Sequence, residues 1–268
     1  MKVLIPMAGS GRRFFEAGYQ MSKPAIPTYD KRIGEKKPMV VCATLDLPNV
    51  MEDGSNVIYV DRDFHHKDGT EDIIKRYFPK AKFISIDHLT DGQACTCMIA
   101  EEEIDREEEL LIAGCDNGME MDAEKFESLK TRSDALVFVY RHNECVLENP
   151  DAHGWMVVNN NDDVTGISIK KAISNTPMED CAVVATFWFR KGSIFMEAAR
   201  KMIAEDDRIN NEFYVDQTIK YVMAAGYRVK IFEIDRYIGW GTPKDYELFQ
   251  KTFEYWRGFI EKERGRMV

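Results

Sequence analysis

Two glycines, two arginines and a lysine near the amino end have the types and spacing to grip a polyanion. They stand in Ala8-Gly9-Ser10-Gly11-Arg12-Arg13, directly after an apolar run, and in Ser22-Lys23-Pro24, whose lysine lies ten residues beyond Arg13. Glycines carry no Cβ, so the backbone can approach a phosphate closely and the N–H groups of the turn point at it. Arginine and lysine then neutralise the charge that the amides only orient. The 268-residue chain has 36 basic against 46 acidic side chains, a net charge of −10. Affinity for an anion therefore has to come from a local cluster of this kind. Arg12, Arg13 and Lys23 together suit a triphosphate.

The same residues exclude two better-known phosphate loops. A Walker A loop ends in Gly-Lys-Ser/Thr, and no such ending is present here. A dinucleotide-binding loop needs a third small residue where Phe14 stands, and an acid about twenty residues on. That later region is instead the basic stretch around Arg32.

Other candidates are spread along the chain. The apolar run Leu110-Leu-Ile-Ala-Gly-Cys ends abruptly in Asp116, the position of a metal ligand at the carboxyl edge of a parallel sheet. Asp91-Gly92-Gln93-Ala94 opens a helical stretch, and its backbone amides suit base edges or anions. Cys115 has no spacing that pairs it with His88 or His142, so it reads as a buried thiol rather than a nucleophile. Asp61-Arg62-Asp63, followed by His65-His66-Lys67, mimics the Asp-x-Asp of metal-dependent glycosyltransferases and is read as a polar, non-catalytic turn.

Regular elements must carry these residues. Short β-branched runs at 2–7, 56–60, 82–86, 109–113, 135–140, 182–189 and 228–234 alternate with helical spacing at 39–47, 72–78, 95–103, 194–204 and 215–224. This alternation predicts an α/β architecture, a mainly parallel sheet covered by helices. On a C-terminal helix, Tyr246, Phe249, Phe253, Trp256, Phe259 and Ile260 form an aromatic stripe predicted to pack into the core. The charged segment 29–37 is expected to be a loop, and 159–163 a turn between two strands.

With 44% hydrophobic residues the chain can bury a substantial core, and no repeat or Pro/Ser-rich hinge divides it. Net acidity argues against a general affinity for nucleic acid or anionic membrane. No apolar run approaches the ~20 residues of a membrane span, and the amino-terminal run is too short for a signal peptide. The six cysteines lack paired spacing and read as reduced thiols, which gives an expectation of a cytoplasmic protein.

The pattern Gly-x-Gly-x-Arg, then Lys23-Pro24, then Lys37-Pro38, resembles the sugar-nucleotidyltransferases, also called nucleoside-diphosphate-sugar pyrophosphorylases. Pro150-Asp151-Ala152-His153-Gly154-Trp155, Asn211-Glu212-Phe213-Tyr214-Val215-Asp216 and Gly239-Trp240-Gly241-Thr242-Pro243 resemble family segments in the same order, so the likeness spans about residues 2–250. It implies a three-layer α/β sandwich with a Rossmann-like mixed, mainly parallel sheet of the nucleotide-diphospho-sugar transferase type. One domain over 1–268 is expected, nucleotide-binding over about 1–145, with the acceptor-binding part and C-terminal helix over about 146–268. The implied reaction is Mg²⁺-dependent coupling of a nucleoside triphosphate to a phosphorylated acceptor, first of all a sugar 1-phosphate. Pyrophosphate leaves, and the product would be an activated precursor for a surface polysaccharide. Arg13 and Lys23 take the catalytic positions; Ala8, Gly9, Ser10, Gly11, Arg12, Gly92, Gln93 and Ala94 the nucleotide; Asp116 the Mg²⁺; Gly154, Lys170, Lys171 and Glu212 the acceptor.

Two departures stand out. Gly239 occupies the place of a second metal-binding aspartate, leaving one carboxylate, a substitute such as Asp235 or Glu212, or a metal held by phosphates and water. Ile169-Lys170-Lys171 replaces the Glu-Lys of sugar-binding members, which suggests lysine contact with an acceptor phosphate. Two alternatives remain: a glycosyltransferase of the same general fold using Asp61/Asp63 or Asp116, and a non-catalytic nucleotide-binding subunit. The base, the acceptor and the oligomeric state stay open, and a homo-oligomer is compatible with the sequence.

Overall fold

Val3, Leu4 and Ile5 follow one another without a polar residue, and all three are fully buried in the central strand β1 (Lys2–Pro6). A strand buried on both faces needs such a run, because successive side chains point to opposite sides. In this computed structural model, which describes residues 1–266, β1 pairs in parallel with β4 (Val57–Arg62) and β6 (Leu110–Ile112). Two short strands, β2 (Pro27–Tyr29) and β3 (Lys36–Pro38), lie between them in sequence, and β5 (Lys82–Ile86) extends the parallel set beyond β4.

The rest of the sheet forms beyond β6. After β7 (Asn117–Glu120) come β8 (Ala135–Tyr140), β9 (Gly154–Val158), β10 (Val164–Ile169), β11 (Cys181–Phe189), β12 (Val229–Glu233) and β13 (Arg236–Gly239). The main path is β10-β9-β11-β6-β1-β4-β5, with β8 pairing β11 and β12 off this path. Strand β11 is antiparallel to β6, β8 and β9, and β10 is antiparallel to β9. All strands of the main sheet except β10 and β11 therefore share one direction, a mixed and mainly parallel sheet.

Side-chain alternation divides the core into two layers. Leu4, Ile58 and Ile112 pack with the helices Gln93–Met98, Gly192–Ala204 and Val215–Ala224. Val3, Tyr59 and Leu111 pack on the other side, with Met39–Leu45, Thr70–Lys75 and Ala123–Lys130. This is the three-layer α/β arrangement expected from the sequence. A smaller apolar cluster joins Phe14, Ile26, Trp240 and Tyr246, tying the glycine-loop segment to the first turn of the C-terminal helix Pro243–Arg266.

Two expectations hold in part. The segment 29–37 is the tip of a β-hairpin, with Tyr29 ending β2, Lys36 and Lys37 beginning β3, and residues 30–35 forming the expected loop between them. Its bases turn inward because two acids are buried beside it. Asp30 accepts from Arg32 at 2.8 Å and Lys37 at 2.7 Å, and Asp46 from Lys31 at 2.8 Å and Arg32 at 3.0 Å. Buried carboxylates require such partners. The aromatic stripe of the last helix is core only in its first half. Tyr246 is 8% exposed and Phe253 stacks on Tyr29, whereas Trp256 is 54% exposed and Phe259 and Ile260 nearly as much. Beyond Phe253 the stripe faces away from the covering surface, although Arg257, on another face of the helix, still donates to the Gly34 carbonyl at 3.4 Å.

The turn at 159–163 does join two strands, β9 and β10. All six cysteines are free, three of them buried. Among the described residues, no helix is long and apolar enough to cross a membrane.

Candidate active site

A cavity of about 530 Å³ opens where β1, β4, β5 and β6 end, the usual crevice of a parallel α/β sheet. Segments after the four strands line it: Met7–Gly11 after β1, Phe64 and His65 after β4, Leu89, Thr90, Gly92 and Gln93 after β5, and Gly114–Asp116 after β6. Ser22, Lys23 and Glu212 complete the polar part of the wall.

The glycine loop has the geometry of an anion cradle. From Ala8 to Arg13 no amide donates to a protein acceptor among the described residues, although the preceding Met7 amide still bonds Val60. Gly11 adopts φ +61°, which glycine takes without penalty, and so turns the chain into the helix Arg12–Glu16. Phe14 anchors that helix, buried edge-on against Tyr19 and Tyr246. Arg12 pairs with Glu16 at 2.6 Å on the exposed side and is not part of the cavity wall. Arg13 is also exposed, but its charge is felt at Lys23, Asp116 and Lys170.

Lys23 and Asp116 meet at the centre. The Lys23 ammonium donates to Asp116 Oδ2 at 2.5 Å and to the Gly241 carbonyl at 3.1 Å. Burial works against both charges, lowering the affinity of Lys23 for its proton and raising that of Asp116. The opposite charge of the partner and the shared hydrogen bond outweigh burial, so Lys23 is held above its ordinary range and Asp116 below its own. The pair is thus ionised throughout the neutral range. Burial pushes the neighbouring Cys115 thiol up to about 12, so it is not a thiolate nucleophile. His88 and His142 pair with Asp87 and Glu179 at the surface instead.

Among the described residues, Asp116 and Glu212 are the acids on the cavity wall. Among the described residues no group of three or more His, Cys, Asp or Glu side chains could hold a metal. A Cβ on Gly239 would press on the Tyr237 ring, and one on Gly241 would come within 3.5 Å of Asp116 Oδ2. Asp235 does not line the cavity and Glu212 does. One carboxylate facing open space fits Mg²⁺, which keeps water and takes substrate phosphates as its other ligands. Asp61 offers no second metal site: it is fully buried, accepts from Ser85 at 2.6 Å and is not part of the wall.

The base-side turn is stitched to the second half of the chain. Gly92 has φ +126°, and a Cβ there would lie 2.5 Å from backbone atoms of Phe213. The Phe213 amide donates to Asp91 at 2.8 Å and the Ala94 amide to Phe213 at 2.9 Å. Gln93 lines the cavity, whereas Ala94 is fully buried behind the turn with its amide already committed.

The acceptor candidates are less convergent. Glu212 lines the cavity and its carboxylate accepts from the Tyr214 hydroxyl. Gly154 is buried against Asp216, which would clash with any Cβ there. Lys170 adopts φ +56°, and its ammonium donates to the Ala152 carbonyl, 5.7 Å from the Tyr214 ring centroid. Burial lowers its proton affinity, and Asp216 and Glu212 partly restore it. Lys171 is exposed. Neither lysine lines the cavity.

Sequence reasoning missed several wall residues, Ala185 and His65 among them. Ala185 sits at φ +60° in a β-bulge of β11, and bulges next to sites re-aim the strand. His65, read as part of a polar turn, is 1% exposed and lines the cavity. No local signal marks either one, since both depend on which strands are neighbours.

No family model and no curated protein sequence matches the chain. Solved structures do. A nucleoside-diphosphate-sugar pyrophosphorylase from Vibrio cholerae RC9 aligns with a TM-score of 0.74 at 19% identity, covering 93% of this chain and 99% of that one. The chain shares its fold. A protein described as a glucose-1-phosphate thymidylyltransferase from Bacillus anthracis, in complex with a sucrose, gives 0.70 at 16% identity over 94% and 95% of the two chains. The inositol-1-phosphate CTP transferase from T. maritima gives 0.65 at 13% identity over 93% and 95%. At these identities the likeness is one of fold, and it runs nearly end to end.

Proposed function

We propose that the chain is a nucleotidyltransferase that couples a nucleoside triphosphate to a phosphorylated acceptor and releases pyrophosphate. The observation that carries this reading is the Lys23–Asp116 pair beside a glycine loop whose amides have no protein acceptor among the described residues. The neighbours of like fold, described as a pyrophosphorylase, a thymidylyltransferase and a CTP transferase, support it.

In the proposed reaction an acceptor phosphate oxygen attacks the α-phosphorus in line. A new P–O bond forms as the bond to the bridging oxygen of the β-phosphate breaks, and pyrophosphate leaves with the electron pair. Both reactants are anionic, so the protein has to position them and neutralise charge. The loop amides of Ala8–Gly11, with Arg12 and Arg13 at its edge, would hold the β- and γ-phosphates. Lys23 would turn from Asp116 to bridge the α-phosphate and the attacking phosphate. Asp116 would hold Mg²⁺, which when bound adds neutralising charge against the phosphates. Gly92, Gln93 and Ala94 form the proposed base turn. Glu212, Gly154, Lys170 and Lys171 are the proposed acceptor side, in the part after about residue 145. No general base is required, because a phosphomonoester with a second pKa near 6 is mostly dianionic at pH 7. This also fits a site in which the one histidine is buried. The reduced cysteines agree with a cytoplasmic setting, and a sugar 1-phosphate is the first acceptor to try.

The test is to incubate the protein with Mg²⁺, each of the four nucleoside triphosphates and a panel of phosphorylated acceptors, and to follow pyrophosphate. Acceptor-dependent release with one nucleotide is the expected result. No release with any combination, from protein that binds nucleotide, would leave a non-catalytic binding role instead.

A further inference from the structure

We infer that His65 reads the nucleobase, donating a hydrogen bond from its Nε2–H to an acceptor on the base at the end of the cavity away from Asp116. The inference rests on the nucleotidyltransferase reading and adds to it a residue that selects the base.

Strand order sets the direction of the ligand. Across β6-β1-β4-β5, the cavity wall runs from Asp116 through the glycine loop to His65 and then Gln93. A triphosphate held on the glycine loop against Lys23 and Asp116 leaves the β4–β5 end for the nucleoside. Phe64, 37% exposed, and Leu89, 57% exposed, present apolar surface there, suited to the face of a planar heterocycle. Thr90 and Gln93 supply polar edges.

The imidazole is fixed in one tautomer. Its Nδ1 accepts from the Arg62 amide at 3.2 Å, closing the first turn of the helix Asp63–Lys67. A neutral ring that accepts at Nδ1 carries its hydrogen on Nε2. Burial pushes the pKa of this histidine down to about 4, so the ring is neutral at pH 7. Nε2 is buried and has no hydrogen-bond partner among the described residues. Buried donors are nearly always paired, and His65 lines the cavity where a ligand would supply the acceptor. Phe64 packs against the imidazole with ring centroids 4.2 Å apart, and in the proposed complex a rotation of Phe64 would open Nε2 to the base. A lone N–H selects for a base edge that presents a carbonyl or an unprotonated ring nitrogen, and against one that presents an N–H.

Two substitutions separate the donor from the turn. His65→Asn keeps an acceptor for the Arg62 amide but deletes the Nε2–H. His65→Gln keeps a donor near the Nε2 position. The readouts are KM and kcat with the preferred nucleoside triphosphate, and the affinity for inorganic tripolyphosphate, which has no base. His65→Asn is expected to raise KM about tenfold, near 1.4 kcal/mol, to leave kcat within about twofold, to narrow discrimination among the four nucleotides and to leave tripolyphosphate binding unchanged. His65→Gln is expected to recover most of the loss. Equal weakening of nucleotide and tripolyphosphate, or no weakening of either, overturns the inference. A wild-type measurement stands independently of how the variants fold: the ¹⁵N–¹H signal of His65 Nε2 should shift with the nucleotide and not with tripolyphosphate. An unchanged signal in nucleotide-saturated protein overturns it as well. Wild-type protein that binds no nucleoside triphosphate removes the proposed function and this inference together, whereas binding without a His65 effect removes only the inference.

Discussion

The proposed nucleotide side and the proposed acceptor side of this molecule are built differently. On the first, residues up to about 145 converge: the glycine loop, Lys23, Gln93 and Asp116 border one cavity at the ends of neighbouring parallel strands. On the second, only Glu212 of the four candidates reaches that cavity. Lys170 spends its ammonium on the Ala152 carbonyl, and Gly154 makes room for Asp216. A parallel sheet delivers successive loops to one edge by topology alone, so motifs that follow its strands meet without further design. The acceptor side is assembled from an antiparallel pair, a turn and a helix start, where register and bulges decide which side chains face inward.

The sharpest way to break this contrast is at its centre. Lys23→Ala should lower kcat/KM for pyrophosphate release by about a thousandfold, the scale for removing a preorganised charge from a transition state. Near-normal turnover would end the catalytic assignment. Next comes the seam between the two sides. Gly92→Ala forces a Cβ against the Phe213 backbone at a strained φ and should cost about 3 kcal/mol in chemical denaturation.

Lys170→Ala tests whether the acceptor side works as proposed. An increase of about tenfold in acceptor KM, with nucleotide KM unchanged, is expected for a lost charge-assisted hydrogen bond. Unchanged acceptor affinity would remove Lys170 from the site and widen the difference between the two sides. The smallest effect concerns an acid that the nucleotide side carries outside its cavity. Burial raises the pKa of Asp61 to about 6, above its ordinary 3.8. The folded state therefore binds this proton more readily, so the stability deficit is present above pH 6 and fades as pH falls towards 4. Asp61→Asn should raise the melting temperature by a few degrees at pH 7–8, with the gain shrinking towards pH 4.

Particular residues explain what could be read early. Gly9, Gly11 and Asp116 were legible because each sits within a few residues of an apolar run that forms β1 or β6, and Lys23 because it stands in a Lys-Pro pair ten residues beyond Arg13. The hairpin at 29–37 was not, because its charge pattern reads as solvated until Asp30 and Asp46 are known to be buried beneath it. The aromatic stripe was half legible: its spacing specifies a helix face, but spacing does not say where the covering surface ends, and Trp256 lies past that edge. His65 was passed over because a histidine after a strand has no special spacing.

The sequence by itself determined the alternation of strands and helices, the glycine loop proposed to bind the anion, and the lysine and aspartate proposed to serve it. Those are consequences of local composition, hydrophobic period and the conformational freedom of glycine. The tertiary structure alone decided that Lys23 and Asp116, far apart in the chain, form one ion pair, that Gly92 must lie flat on Phe213, and that His65 lines the cavity with a buried Nε2 that has no partner among the described residues. Strand order and register bring about those contacts, and neither is written within any one segment.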